Sequence, residues 1–167
     1  MSSRVALIHY WLVTIQGGER VLKEVADFFP DASVFTHVCV PEVGERLLPG
    51  HVITPTWVNR FPKASTAYPA LLPLMALALK SIPTSRFDLL VSFESGPAKG
   101  VTSPPGTFHA CYCHTPMRYI WDLKDEYRHR VPSVLRPLFD LWGMALRSWD
   151  RSTARGVDLF VANSRNV

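Results

Sequence analysis

The strongest constraint on the fold lies in the first forty residues. Arg4 to Tyr10, RVALIHY, is a branched, apolar run with no polar alternation. It reads as a strand buried on both faces, as in a parallel sheet. A loop ending in Gly17-Gly18 follows. From Glu19 to Phe29, residues Val21, Leu22, Val25, Phe28 and Phe29 are expected on one helical face, away from Lys23, Glu24 and Asp27. Pro30-Asp31 stops the helix, and Ser33 to Cys39, SVFTHVC, reads as a second strand. Strand, glycine loop, helix and strand make a βαβ unit, whose parallel strands require a crossover.

The rest of the chain continues the alternation. His51 to Thr54 is a short strand candidate, and Trp57 to Phe61 a helical turn. Ala67 to Lys80 reads as an apolar helix, with Pro69 in its first turn and a kink at Pro73. Asp88 to Phe93 and Thr107 to Cys113 read as strands. Pro132 to Arg155 reads as a long helix with Leu135, Leu138, Phe139, Trp142, Ala145, Leu146 and Trp149 on one side. Asp158 to Ala162 is a last strand. No fixed-period repeat or low-complexity tract interrupts the pattern. The expected fold is one doubly wound α/β domain with a mostly parallel sheet.

Composition narrows the class. The 167 residues suit one domain, and 47% of them are apolar, enough for a real core. The 18 basic and 14 acidic residues give a net charge of +4. That is too sparse for a dedicated nucleic-acid binder, so no nucleic-acid partner is expected. Three cysteines, Cys39, Cys111 and Cys113, form no disulfide framework or zinc spacing. They fit a reducing compartment, and a metal site is not expected. The N-terminal apolar run is short, holds His9 and runs into Gln-Gly-Gly, unlike a secretory signal. Ala67 to Leu79, the longest apolar stretch, is broken by two prolines and falls short of a bilayer span. A cytoplasmic setting follows.

In such sheets ligands sit beyond the carboxyl ends of the strands, and three segments there are specialised. Gly17-Gly18 lets a backbone approach a ligand closely at a helix start, where free N–H groups attract anions. A tight turn needing positive φ explains the same pair equally well. The segment 94–100 carries Lys99 among small residues and reads first as a connecting loop. In Cys113-His114-Thr115-Pro116-Met117-Arg118, His114 ends a buried strand and can bond a sugar hydroxyl or exchange a proton. Arg118 can meet a phosphate bidentately. His9 also ends a strand, where core packing and cleft duty are equally open. No Ser-His-Asp arrangement or GxSxG elbow is present. A nicotinamide enzyme would need GxGxxG and an acidic residue ending the second strand, where Thr36-His37 stands.

Taken together, RVALIHYWL with GGERVL, DLLVSFESGPAKGV, CYCHTPMRYIWD, RSWDRSTARGVD and LFVANSRNV resemble the N-terminal half of a family 4 glycosyltransferase. The closest flavour is that of bacterial mannosyltransferase-like enzymes of polysaccharide assembly, and the resemblance spans almost the whole chain. It implies a Rossmann-like domain, residues 1–167, forming one half of a two-domain GT-B enzyme. Such enzymes transfer a sugar, with retention, from a nucleotide-diphosphate sugar to a glycan or lipid-linked acceptor, without a metal or other cofactor. It places Gly17 and Gly18 near the donor pyrophosphate and His114, the expected catalytic residue, near the transferred sugar. Asn163 and Ser164 face the cleft, as His9 does if it is not a core residue. Lys99 and Arg118 are expected at the acceptor or a phosphate. The glutamate pair and basic residues that grip the donor belong to the C-terminal domain. The chain is therefore expected to be truncated before that domain and inactive alone. A non-catalytic α/β module binding a sugar or nucleotide is the competing expectation. Residues 67–82, flanked by Lys63 and Lys80, also permit peripheral docking on the inner face of a membrane.

Overall fold

The computed structural model describes residues 3–94, 96–165 and 167. In chain order it forms β1 (Val5–Ile8), β2 (Trp11–Leu12), α1 (Gly17–Phe28), β3 (Ser33–Thr36), β4 (Val38–Cys39) and α2 (Pro41–Leu47). Next come β5 (Ile53–Pro55), α3 (Ala64–Ala67), α4 (Leu72–Ala78), β6 (Leu89–Glu94) and β7 (Phe108–Cys113). The chain continues with α5 (Lys124–Arg130), α6 (Arg136–Thr153) and β8 (Leu159–Ala162).

Six strands make one sheet in the order β5-β3-β1-β6-β7-β8, and every pairing in it is parallel. Numbered within that sheet, the order is 3-2-1-4-5-6, that of the dinucleotide-binding doubly wound fold. The domain is a Rossmann-like α/β sheet flanked by helices. Chain order reverses between β1 and β6, which pair from Val5↔Leu89 to Ile8↔Ser92. A crevice opens at such a reversal, because the following connections leave to opposite faces.

The two cores follow from the strand period of two. Val5 and Leu7 of β1 point toward α1, where they meet Leu22, Ala26, Val34, Val91 and Phe93. Ala6 and Ile8 point to the other face, with Phe35, Leu79, Ile82, Leu90 and Ala98. Leu7 and Ile8 are fully buried, each contributing roughly 1.5–3 kcal/mol.

Several expected elements are adjusted. The strand expected over 33–39 breaks at His37, and Val38–Cys39 pairs with Trp11–Leu12 as a separate two-stranded sheet. His37 turns inward there and bonds Thr56 through Nδ1 at 3.1 Å. Burial pushes its pKa down to about 3, so it stays neutral. Phe28 leaves the apolar face of α1 and is 80% exposed. It lies six residues past Leu22, which at 3.6 residues per turn is the far side. The helix expected over 67–80 is broken: 3-10 turns at Tyr68–Leu71 and Leu79–Ser81 flank α4. Pro69 and Pro73 lie near the start of the first turn and of α4, where their missing N–H groups cost nothing. Met75, Ala78, Leu79 and Ile82 of this stretch are buried. No helix among the described residues is long and apolar enough to cross a membrane.

Candidate functional site

The sequence directs attention to the carboxyl ends of β1 and β6, and there α1 begins. His9 follows β1, is fully buried, and points to the α1 side of the sheet. Its Nε2–H donates to Glu19 Oε1 at 3.3 Å, since an ionised carboxylate can only accept. The other oxygen of Glu19 accepts the Gln16 N–H at 2.9 Å. One buried carboxylate thus caps the helix and fixes an imidazole. Burial alone would raise the Glu19 pKa, but the bonds from His9 and Gln16 hold it below the ordinary value. The Nδ1 atom of His9 is buried and has no hydrogen-bond partner among the described residues.

Gly18 sits in the first turn of α1 against these groups. A Cβ on Gly18 would lie 3.4 Å from the Tyr10 hydroxyl, 3.6 Å from His114 Nε2 and 3.7 Å from His9 Cε1. Neither Gly17 nor Gly18 has positive φ; both belong to the helix. The tight-turn explanation for the pair is set aside, and what distinguishes Gly18 is its missing side chain at a crowded point. Gly17 faces open space.

His114 follows β7 on the same face. Its backbone N–H donates to Glu94 O at 2.9 Å, which anchors it to the end of β6. Its ring lies 4.9 Å from that of Tyr112 and stacks 6.5 Å from Phe93. Nε2 is buried and without a hydrogen-bond partner among the described residues. Burial, with the nearby His9, lowers its pKa, so the ring is neutral at neutral pH and can donate or accept. Two imidazoles, a phenol and a side-chain-free helix start therefore meet at the chain reversal. Such a place can receive an anionic group on the first N–H groups of α1 and hydroxyls on the rings.

The remaining expected residues fall elsewhere. Lys99, expected at an acceptor or a phosphate, lies on the opposite face and is 6% exposed. Its ammonium bonds Glu94 at 3.0 Å and also Asp150 of α6, while its N–H donates to Glu94 Oε2 at 3.0 Å. Trp121 Nε1–H donates to the other Asp150 oxygen at 3.0 Å. The lysine charge is consumed inside the fold. Burial raises the Glu94 carboxyl to about 7 despite Lys99. Arg118 is exposed on the loop after His114. Asn163 and Ser164 are exposed after β8, where the Asn163 N–H bonds Cys113 O at 3.2 Å.

His37, His51 and His109 are held by bonds within the fold. His109 bonds Gly156 O and Ser92 through its two nitrogens, at 3.2 and 2.8 Å. Cys39, Cys111 and Cys113 are free thiols, and burial raises Cys111 to about 12 and Cys113 to about 11. No group of three His, Cys, Asp or Glu side chains among the described residues is placed to hold a metal ion. Glu19 was missing from the sequence-derived site, although its spacing from Gln16 is that of a capping box. No family model matches the chain, and neither does any curated protein or solved structure.

Proposed function

We propose that this domain is the acceptor-side half of a retaining, nucleotide-sugar-dependent glycosyltransferase of the GT-B kind, with a glycan or lipid-linked acceptor. The observation that carries the reading is Gly18, set in the first turn of α1 between Tyr10, His9 and His114. Pyrophosphate needs close approach to helix N–H groups, and Gly18 supplies it without a side chain in the way. A sugar needs neutral hydroxyl partners, and His114 Nε2 is free to serve as one.

The chemistry fits this division. A nucleotide diphosphate leaves readily once its charge is stabilised. The acceptor hydroxyl attacks from the face the diphosphate leaves, and its proton passes to the departing phosphate oxygen. His114 then orients the sugar, so the protein's main task is positioning. Most of the donor grip is assigned to a facing second domain, as the resemblance in the GGE, CHTPMRY and ANS segments implies.

Saturation-transfer NMR with GDP-mannose and UDP-glucose as probes tests the site on this chain. Transfer to ligand protons is expected, and Gly18→Val should abolish it without unfolding the protein. Absence of transfer, or transfer that Gly18→Val leaves intact, contradicts the reading. Incubated alone with either donor and a glycan acceptor, the chain should form no product. Sugar transfer by it would overturn the division of labour between two domains.

A further inference from the structure

The outward face of α6 is apolar where a surface helix should be polar. Val134, just before it, is 81% exposed, and Leu138, Leu141 and Met144 are 64%, 60% and 59% exposed. Ala145 is exposed beside them. The buried side of the helix is carried by Gly143, Leu146 and Asp150 instead. A contiguous exposed apolar strip of this kind marks a contact surface.

The strip runs into a basic end. Arg147, Arg151 and Arg155, with Met144, Ser148 and Ser152, line a shallow pocket of about 460 Å³. The Trp121 ring lies beneath two of these guanidinium groups, at 5.0 Å from Arg147 and 5.1 Å from Arg151. Arg147 also donates to Ile120 O. The two acids of α6 are spoken for: Asp140 pairs with Lys124 and Arg128 of α5, and Asp150 with Lys99. The exposed surface of α6 therefore combines apolar side chains with Arg147 and Arg151, which form no ion pair among the described residues.

We infer that α6 docks this domain on an anionic lipid bilayer, its leucines and Met144 entering the interface and its arginines meeting lipid phosphates. Charge decides between this occupant and a second copy of the chain. Antiparallel pairing of two α6 helices would set the arginines against Val134 and Leu138 of the other copy, and parallel pairing would set arginine against arginine. A lipid surface supplies both apolar chains and phosphates in the required order. The helix also packs on Met117, Ile120 and Trp121, in the loop that follows β7. The surface is distinct from the 67–82 stretch, where Met75, Ala78, Leu79 and Ile82 are buried in the core.

Vesicle flotation of the 167-residue chain tests this without any sugar, so its outcome is separate from that of the cleft assignment. The chain should float with vesicles one-third phosphatidylglycerol and remain behind with pure phosphatidylcholine. Leu138→Gln with Leu141→Gln should lower partitioning more than tenfold. Arg151→Gln with Arg155→Gln should lower it about 30-fold. Added salt should weaken the wild type and spare the arginine variant. Leu77→Gln, on α4, should bind as wild type. Circular dichroism checks that each variant is folded. Failure of the wild type to float, indifference to the arginine substitutions, or loss through Leu77→Gln overturns the proposal. So does a dimer in sedimentation velocity that the leucine substitutions dissolve.

Discussion

His9 and Glu19 form the pair on which the cleft depends most directly. The carboxylate is 3% exposed, accepts from both an imidazole and a helix N-terminal N–H, and sits one residue from Gly18. Glu19→Gln keeps the shape but replaces a charged acceptor with a neutral one. Urea unfolding should show a loss of about 1–2 kcal/mol. The His9 imidazole signals should also move, because its tautomer is no longer imposed. Unchanged stability together with unchanged His9 signals would contradict the assigned role. His9, Gly18 and His114 could be read from the sequence because each stands where a buried strand ends or a helix opens. Glu19 was harder, since a glutamate in a first helical turn usually serves the helix dipole in solvent. Lys99 was misplaced for a related reason. Nothing in the local sequence announces a carboxylate partner 51 residues away.

The helices and strands differ in how well periodicity served. Buried parallel strands were readable as branched apolar runs, and five of the six in the large sheet fell within a residue or two of their expected bounds. The break at His37 was not, because the run SVFTHVC continues apolar through it while the hydrogen bonds change partner. For α6 the apolar side chains outnumber those one face can hold. The buried face is chosen by what covers it: Leu146 joins Met117 and Ile120, and Asp150 reaches Lys99. Leu138 is thereby turned outward. Lys99→Met removes the cation between Glu94 and Asp150 and should cost roughly 3–5 kcal/mol in chemical denaturation, since it leaves buried acid groups unpaired. A cost under about 1 kcal/mol would show that the cluster does not tie α6 to the sheet.

For the whole domain, the doubly wound order sets the candidate site on the α1 face of the strand ends and a charged cluster on the other face of the same ends. That cluster sets a pH dependence. The Glu94 carboxyl, surrounded by Lys99, Asp150, Cys111 and Cys113, has its pKa raised from 4.5 to about 7, chiefly by burial. The folded state therefore keeps a proton that the unfolded chain gives up. Its stabilising effect is complete below the unfolded pKa and is lost as pH rises through about 7. Between about pH 5 and 8, Glu94→Gln should gain on the wild type by about 3 kcal/mol in unfolding free energy. A difference between the two proteins that does not vary with pH would contradict this account of Glu94. The proposed donor site lies on the α1 side of the same strand ends, and imidazole proton–nitrogen correlation spectra with added GDP-mannose test it most directly. Signals of His9 and His114 are expected to shift while those of His37, His51 and His109 stay fixed. Shifts confined to the other histidines, or none at millimolar ligand, would contradict it.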